Sequence, residues 1–385
     1  MSRFFHGTVI LPDRVAENGL VAVDAGKVTG VWDLESTAAP PHDSSETTRL
    51  ENGYIVPGFV DQHCHGGGGA DFMDGDPEAV ATITATHARH GTTALLATTL
   101  SAPEEEILAV IRAVKAAPRR GAQVLGFHIE GPFLNPKWKG AQDPRYLRLA
   151  TVAEIDRWMA AGRPDDRWHV TLAPEMEGAH EAIRHLVARG AVVSAGHTDC
   201  TYAQLEAAAA AGVSHVTHLY NGMRGLHHRE PGTVGAALAL PGMTIELIAD
   251  GIHIHPASLK VAAAAKGFDR VILVTDAMEA TDLPEGEYQL GELKAYVREG
   301  AVRLEDGTLA GSVLTMATAV RNMVRLVGVP LAAAVAMASL NPARKHGLEG
   351  RKGAIGAGYD ADLVLMDKEF NVLETIVGGE TVYRA

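Results

Sequence analysis

The feature that most constrains the fold is a regular alternation between residues 57 and 345 of short apolar runs with longer amphipathic or alanine-rich segments. The apolar runs have the length of buried strands, and most segments between them have helical spacing. Eight strands counted in this way favour a (β/α)8 barrel of the TIM type over an open doubly wound sheet. The predicted strands are Phe59–His63, Thr93–Thr98, Val124–Ile129, His169–Ala173, Val192–Ala195, His215–Thr217, Thr244–Ala249 and Val271–Thr275.

Both ends of the chain have strand patterns without helix signals. Short apolar runs separated by Gly and Asp turns occur in residues 1–56 and again in residues 353–385. Two β-rich ends around a long middle segment predict that the termini pair with each other in one small β-sandwich domain. We therefore expect residues 1–56 and 346–385 to form that domain, and residues 57–345 to form the barrel.

Composition excludes several classes of protein. The chain has 385 residues, of which 46% are hydrophobic and 21% charged, and it has no apolar run of membrane length. The net charge of −13 comes from scattered acidic residues, which argues against a nucleic-acid or anionic-membrane partner. Two cysteines and an N-terminus without a secretion-signal pattern predict a cytoplasmic protein.

Histidines and carboxylates follow the predicted strands at the points where they end. Imidazole nitrogens and carboxylate oxygens are the groups that bind zinc-like divalent ions, and catalytic sites keep one position open for water. Barrel enzymes collect such side chains at the carboxyl ends of several strands, so that ligands distant in sequence meet in space. The strand ends carry Asp61, His63, His65, Glu130, His197, His218, Asp250 with His253, and Asp276.

Taken singly, each of these residues has an ordinary structural explanation. Glu130 could cap the turn at Gly131-Pro132, His197 and His218 could be buried hydrogen-bonded histidines, and Asp276 could cap the next segment. Their joint occurrence at strand ends of one fold favours a metal site instead. An ionised carboxylate after a nearly apolar strand is costly without a partner, so Asp276 is predicted to be a general base beside a metal-bound water.

The His63-Cys64-His65 segment allows two imidazoles to reach one ion. In a strand, residues i and i+2 point to the same face and residue i+1 to the other, so the cysteine is not expected to share that ion. The motif alone is weak, because two histidines satisfied in a polar barrel mouth would look the same. The following Gly66–Gly69 segment lacks a phosphate-loop pattern and is predicted to serve close backbone approach.

Nine stretches that span nearly the whole chain match one family. They are Pro57–Asp61, His128–Pro136, Lys139–Ala141, Ser194–Thr198, Thr217–Met223, Arg229–Gly232, Asp250–His253, Val274–Met278 and Leu309–Thr315. The chain resembles the N-acetylglucosamine-6-phosphate deacetylases of the amidohydrolase superfamily. The Glu-Gly-Pro-Phe and His-Leu-Tyr-Asn-Gly-Met pieces are specific to that family among amidohydrolases.

The resemblance implies metal ligands at Glu130, His197 and His218, and a catalytic acid/base at Asp276. It also implies substrate contacts at Ala141, Asn221, Gly222, Arg229, His253, Leu309, Ala310 and Gly311. Two departures concern the metal and the substrate. Single-metal members carry amides where this chain has His63 and His65, and other members have His where this chain has Gln142, a neutral amide able to donate to a substrate oxygen.

The implied cofactor is a divalent metal, with one or two ions per chain. Zinc is the first expectation, and iron, cobalt, manganese and cadmium are alternatives. The implied reaction is hydrolysis of the acetamide of a phosphorylated amino sugar, in amino-sugar catabolism or cell-wall recycling. Because the protein is acidic overall, Arg229 is the natural clamp for the phosphate, with His227 and His228 beside it. The resemblance further implies a homodimer with this loop near the interface.

Two other functions compete with this interpretation. Another amidohydrolase, such as a cyclic-amide hydrolase or an N-acyl-amino-acid deacylase, would share the barrel and the ligands. The fourth predicted strand is followed by Pro174-Glu175 without the bridging lysine of some such enzymes, and Glu130 can take that bridging position. A non-catalytic scaffold or sugar-sensing barrel is disfavoured by the complete ligand set together with Asp276.

Overall fold

The computed structural model describes residues 2–37 and 47–385, and it contains an eight-stranded parallel sheet that curls into a barrel. Neighbouring strands pair in chain order from the first strand to the eighth. This arrangement confirms the predicted (β/α)8 fold. The eight barrel strands are Phe59–Cys64, Thr92–Thr99, Gln123–Glu130, Arg167–Leu172, Val192–Ala195, His215–Val216, Thr244–Ile248 and Val271–Val274.

Bonds between the ends of the first and eighth strands close the barrel. The backbone N–H of Asp276 donates to the carbonyl of His63 at 2.9 Å, and that of His65 donates to Ala277 at 2.8 Å. The barrel therefore closes at the segment that carries three of the predicted site residues. Helices outside the strands cover the sheet: Pro77–Ala88, Glu104–Ala116, Val152–Ala161, Ala179–Ala188, Tyr202–Ala211, Gly232–Ala239, Pro256–Lys266, Met316–Asn322, Leu331–Ala338 and Leu340–Lys345.

The interior of the barrel is unusually polar in the layer below its carboxyl end. Parallel strands covered on both faces normally read as continuous apolar runs, and most of these strands do. Several side chains break that rule, and five large ones in this layer are fully buried: Gln62, His128, His169, His215 and Glu246. The rings of His128 and His169 stack with centroids 4.2 Å apart, and Gln62 bonds to both His215 and Glu246 at 2.7 Å.

The two ends of the chain pair with each other, as the sequence predicts, in one seven-stranded sheet; its packing as a β-sandwich stays a prediction. Its strands are Arg3–Ile10, Val15–Asp24, Lys27–Asp33, Thr47–Pro57, Leu363–Asp367, Val372–Val377 and Glu380–Arg384. The strands Thr47–Pro57 and Leu363–Asp367 pair antiparallel and join the N-terminal half of the sheet to the C-terminal half. The domain boundaries at residues 57 and 345 stay a prediction, and residues 1 and 38–46 of the first segment lie outside the described residues.

An excursion follows the eighth barrel strand. It contains the antiparallel strands Gly286–Leu290, Leu293–Arg298 and Ala301–Leu304, which form a separate three-stranded sheet. Side chains of this small sheet, including Leu290 and Ala295, pack with Leu100 and Met278 in one apolar cluster beside the barrel mouth. In the part of the chain that the structure describes, no helix has the length and apolar character needed to cross a bilayer.

A buried ion pair lies near the junction of the barrel and the terminal sheet. Lys352 Nζ lies 2.6 Å from Asp362 Oδ2, and the two side chains are only 2% and 5% exposed. The other carboxylate oxygen of Asp362 accepts from the backbone of Gly378, and its carbonyl accepts from Gly58. Removing the lysine therefore leaves a buried carboxylate between the two sheets without its cation.

We expect Lys352→Met to lower the free energy of unfolding by about 3–5 kcal/mol, the usual cost of leaving one partner of a buried pair uncompensated. Urea denaturation followed by circular dichroism measures the change. Lys294→Met is the matched control, because Lys294 pairs with Glu287 at 2.6 Å but is 66% exposed. The control should change stability by at most about 1 kcal/mol. Equal losses in both variants would show that burial does not set the strength of the Lys352 pair.

Candidate metal centre and active site

The predicted metal and catalytic residues converge at the carboxyl end of the barrel. Glu130 is the last residue of the third strand, whereas His197, His218 and Asp276 each stand two residues beyond the end of the fifth, sixth and eighth strands. His63 lies in the first strand, and His65 follows it. The backbone of His197, His218 and Asp276 has positive φ angles of 47°, 29° and 50°. Non-glycine residues adopt this conformation rarely, and such strain concentrates at functional sites.

One group of ligand atoms surrounds Glu130 Oε1. His218 Nε2 lies 3.0 Å from this oxygen and His197 Nε2 lies 3.2 Å from it, while the two nitrogens are 3.1 Å apart. All three side chains are buried. We call Glu130, His197 and His218 the first ligand group.

A second group of ligand atoms adjoins the first. His65 Nε2 lies 3.3 Å from Asp276 Oδ1 and 3.3 Å from His63 Nε2, and His63 Nε2 lies 3.5 Å from Asp276 Oδ1. Glu130 joins the two groups, because its Oε2 is 3.3 Å from His65 Nε2 and its Oε1 is 3.5 Å from His63 Nε2. We call His63, His65 and Asp276 the second ligand group.

The donor set fits a divalent cation. His197 Nδ1 lies 2.8 Å from the carbonyl of Trp138, to which it donates, so the Nε2 of the same ring presents its lone pair to Glu130 and His218. His63 Nδ1 is engaged in the same way by Glu246 at 3.1 Å. Lone pairs that face one another and a carboxylate cannot satisfy one another by hydrogen bonds. A cation with nitrogen and oxygen ligands satisfies all of them.

Electrostatics in the site also favour positive charge. Burial would raise the pKa of Glu130, but the neighbouring His63 and the close imidazoles of His197 and His218 hold it well below its usual range. Asp276 behaves similarly, since His63 and His65 outweigh burial and lower its pKa. Burial would lower the pKa of His65, yet hydrogen bonds to Asp276 and Glu130 raise it to about 9. The buried carboxylates thus remain ionised and attract cations.

Gln142 reaches the same centre from the segment after the third strand. Its Nε2 donates to Glu130 Oε2 at 2.9 Å, and its Oε1 accepts from the backbone of Ser101 at 2.7 Å. The backbone contact fixes which end of the amide faces the glutamate. The structure therefore gives Gln142 a contact with a predicted ligand, which the sequence comparison with His-bearing family members did not suggest.

A cavity of about 180 Å³ opens above the two ligand groups. Most predicted substrate contacts line it together with the ligands, namely Ala141, Gln142, Asn221, Gly222, His253, Leu309 and Gly311. His253 is held there by a 2.6 Å contact between its Nδ1 and Asp250 Oδ2. These residues come from four segments that are far apart in the chain.

The structure does not bring every predicted residue to this cavity. Ala310 is buried in the apolar cluster beside the mouth rather than in the lining. Arg229 is exposed, does not line the cavity and lies 2.9 Å from His228 Nε2. Asp61 is buried below the ligands, where it accepts from Thr275 Oγ1 at 2.5 Å, and burial raises its pKa to about 7. Cys64 points away from the ion site, as expected, and lies 3.1 Å from His87 Nε2.

Two contributors to the site were missed by the sequence analysis. The carbonyl of Trp138 contacts His197, and the side chain of Glu246 contacts His63. A backbone carbonyl leaves no signal in a sequence. Glu246 did leave one, because a carboxylate in the middle of the buried run Thr244–Ile248 has no packing reason to be there.

Comparisons with known proteins agree with this geometry. Residues 54–382 match the model of the amidohydrolase family. N-acetylglucosamine-6-phosphate deacetylase of Vibrio furnissii is 41% identical over 334 residues, which cover 86% of this chain and 83% of the relative. N-acetylgalactosamine-6-phosphate deacetylase of Escherichia coli O157:H7 is 42% identical over 329 residues, or 85% of this chain and 87% of the relative.

Solved structures lead to the same family. A mutant N-acetyl-D-glucosamine-6-phosphate deacetylase from Mycobacterium smegmatis, in complex with N-acetyl-D-glucosamine-6-phosphate, superposes with a TM-score of 0.92. It is 36% identical, and the match covers 99% of both chains. Amidohydrolases depend on metal ions, which agrees with the candidate ligand groups found here. The chain therefore belongs to the amidohydrolase family, alongside the amino-sugar-6-phosphate deacetylases that these relatives represent.

Proposed function

We propose that this protein hydrolyses the acetamide of N-acetyl-D-glucosamine 6-phosphate, releasing D-glucosamine 6-phosphate and acetate. The main observation behind this proposal is that both ligand groups, the second of which contains Asp276, converge beneath one cavity. Most of the predicted substrate contacts line that cavity. Relatives with this activity by name, similar over most of the chain, supply the substrate class.

The proposed cofactor is one or two divalent ions, with zinc as the first expectation. Glu130, His197 and His218 would hold one ion, and His63, His65 and Asp276 offer ligands for a second. When bound, such an ion lowers the pKa of a water ligand towards about 7 and polarises the acetyl carbonyl. Glu130 contacts residues of both groups, so it is the natural bridge between the two positions.

Asp276 is the proposed acid and base. Its pKa is lowered, so it is ionised and can take the proton of the attacking water. It then returns that proton to the nitrogen of the leaving amine, because an amine leaves poorly unless it is protonated. Its place in the second ligand group keeps the carboxylate within the reaction site.

Polar side chains around the cavity would orient the sugar. His253 has its Nδ1 engaged by Asp250, which leaves Nε2 for a substrate oxygen. The amide of Gln142 and the side chain of Asn221 line the same space. Donors positioned before the reaction stabilise the charge that develops on the acetyl oxygen without having to reorganise.

The phosphate is proposed to bind Arg229. This residue is exposed and outside the cavity of its own chain, so its role requires a movement of the loop or a second copy of the protein. We therefore propose a homodimer in which this loop reaches the partner's site. The cytoplasmic location and the absence of a nucleic-acid partner stay predictions.

Deacetylation of both N-acetylglucosamine 6-phosphate and N-acetylgalactosamine 6-phosphate should be assayed. Relatives named for each sugar are similar to this chain to nearly the same degree, at 41% and 42% identity. Acetate release, measured with each sugar and with zinc-loaded protein, tests the function directly. Failure with both sugars in protein that retains its metal would overturn the proposal.

Asp276→Asn should reduce turnover by about 10²–10⁴-fold, because an amide cannot accept the proton of water. Metal analysis should still find the ion of the first ligand group, to which Asp276 does not belong. Asp156→Asn is a surface control, since Asp156 pairs with His185 away from the site. Deacetylation at the wild-type rate by Asp276→Asn would remove this residue from its assigned role.

His63→Ala should lower the metal content from two ions per chain to one, as measured by inductively coupled plasma mass spectrometry. The variant removes a nitrogen of the second ligand group and leaves all three residues of the first. His185→Ala, a partly exposed histidine paired with Asp156, should keep the wild-type metal content. An unchanged count in His63→Ala would mean that the protein has a single metal position.

Arg229→Ala should raise KM for the phosphorylated sugar about tenfold or more, because a charge-assisted hydrogen bond contributes about 1.5–3 kcal/mol. KM for unphosphorylated N-acetylglucosamine should change little. Arg112→Ala, another exposed arginine that pairs with Glu105, is the control. If both sugars respond equally to the Arg229 substitution, the phosphate contact is wrong.

A further inference from the structure

A carboxylate in the middle of the seventh barrel strand contacts both ligand groups from below. We propose that Glu246 is a positioning residue that holds His63 and His218 together and so couples the two metal positions. This inference rests on the metal site of the proposed function, but it concerns a residue that takes no part in binding substrate.

Glu246 makes four close polar contacts although it is fully buried. Its Oε2 lies 3.1 Å from His63 Nδ1 and accepts from the backbone N–H of His218 at 3.0 Å. Its Oε1 accepts from Gln62 Nε2 at 2.7 Å and lies 3.1 Å from His215 Nε2. The hydrogen bonds outweigh burial and hold the pKa of this carboxyl well below its usual range.

The same carboxylate is close enough to His169 and His215 to suggest a metal position of its own. Its hydrogen bonds argue against that use. A carboxylate offers about four lone-pair positions. Donors from Gln62, His63 and the backbone of His218 occupy three of them, and the ring nitrogen of His215 lies against the fourth. Glu246 is therefore suited to orienting other groups rather than to binding an ion.

The contact with His63 decides how that ring can act. A proton on Nδ1, donated to Glu246, leaves the lone pair on Nε2, which faces His65 and Asp276 in the second ligand group. A carboxylate partner also makes the ring a more basic ligand. Without Glu246, the proton could move to Nε2 and block the position of the ion.

The contact with His218 acts through the backbone. His218 has a positive φ of 29°, which a non-glycine residue rarely adopts without support. Glu246 supplies that support twice, because its side chain binds the N–H of His218 and its carbonyl accepts from the N–H of Leu219 at 3.0 Å. The strained turn places His218 Nε2 against Glu130 in the first ligand group.

One residue thus contacts a ligand of each group, and this predicts a particular pattern of losses. Replacing Glu246 should weaken the binding of both ions, whereas replacing His63 should abolish the binding of only one. The conservative change Glu246→Gln keeps an oxygen that can accept from His63 and His218. Its amide nitrogen would face Gln62, whose own amide can rotate so that its oxygen accepts the hydrogen bond. Glu246→Leu leaves the donors of Gln62, His63 and the backbone of His218 without an acceptor.

The test measures zinc retained by each variant during dialysis against a graded series of chelator concentrations. Loss of a partner behind a metal ligand costs about 10–100-fold in affinity. We expect Glu246→Leu to lose affinity by this factor at both positions, and Glu246→Gln to recover part of it. Glu374→Gln is the matched control, because Glu374 is a buried carboxylate of the terminal sheet that pairs with Arg3 and Arg384. Loss of only one ion, or wild-type retention by folded Glu246 variants, would overturn the coupling.

A measurement on the wild-type protein covers the case in which a variant fails to fold. Nitrogen-15 NMR of the imidazole rings in zinc-loaded and zinc-free protein reports which nitrogen of His63 carries the proton. We expect Nδ1 to carry a proton in both forms, and a zinc-free form in which Nδ1 carries no proton would overturn the orienting role. Wild-type protein that binds no zinc would instead refute the metal site, so the two failures are distinguishable.

Discussion

The structure depends on the cost of holding carboxylates and imidazoles together where water is excluded. Glu130 and Asp276 are both buried and both ionised, and isolated buried charges of this kind would be prohibitively unfavourable. They are tolerated because four histidines surround them at 3.0–3.5 Å. The barrel supplies that proximity, since the ends of its first, third, fifth, sixth and eighth strands deliver these side chains to the same rim.

Much of this arrangement could be predicted, because its main determinants are local in the sequence. The period of the apolar runs indicated eight strands, and the structure confirms all eight within a few residues. The position of a polar residue directly after a strand then identifies the rim. Glu130, His197, His218 and Asp276 obey this rule, so their proximity in space follows from the fold alone.

The rest could not be predicted, because it depends on contacts between distant segments or on backbone geometry. Gln142 bonds to Glu130 only because an insertion folds back over the mouth, and no period in the sequence encodes that path. The positive φ angles at His197, His218 and Asp276 are likewise invisible in residue types that usually avoid them. Arg229 was assigned to the phosphate from the family resemblance and from its charge, and neither of these shows how its loop folds, which leaves it outside the cavity of its own chain.

The polar layer inside the barrel shows how far the influence of the site extends. A barrel of this kind is ordinarily filled with branched apolar side chains, which stabilise it by packing. Here Gln62, His128, His169, His215 and Glu246 occupy that space, and the two ring nitrogens of His169 have no hydrogen-bond partner among the described residues. Buried polar groups without partners are destabilising, so packing alone does not explain this layer.

The organised part of this polar layer is the set of hydrogen bonds that ends on Glu246 and, through Glu246, on His63 and His218. The interior thus has less packing stability than an apolar core would have, and its hydrogen bonds instead fix two metal ligands at the rim. Such a loss is expected where activity requires a geometry that the fold would not otherwise hold.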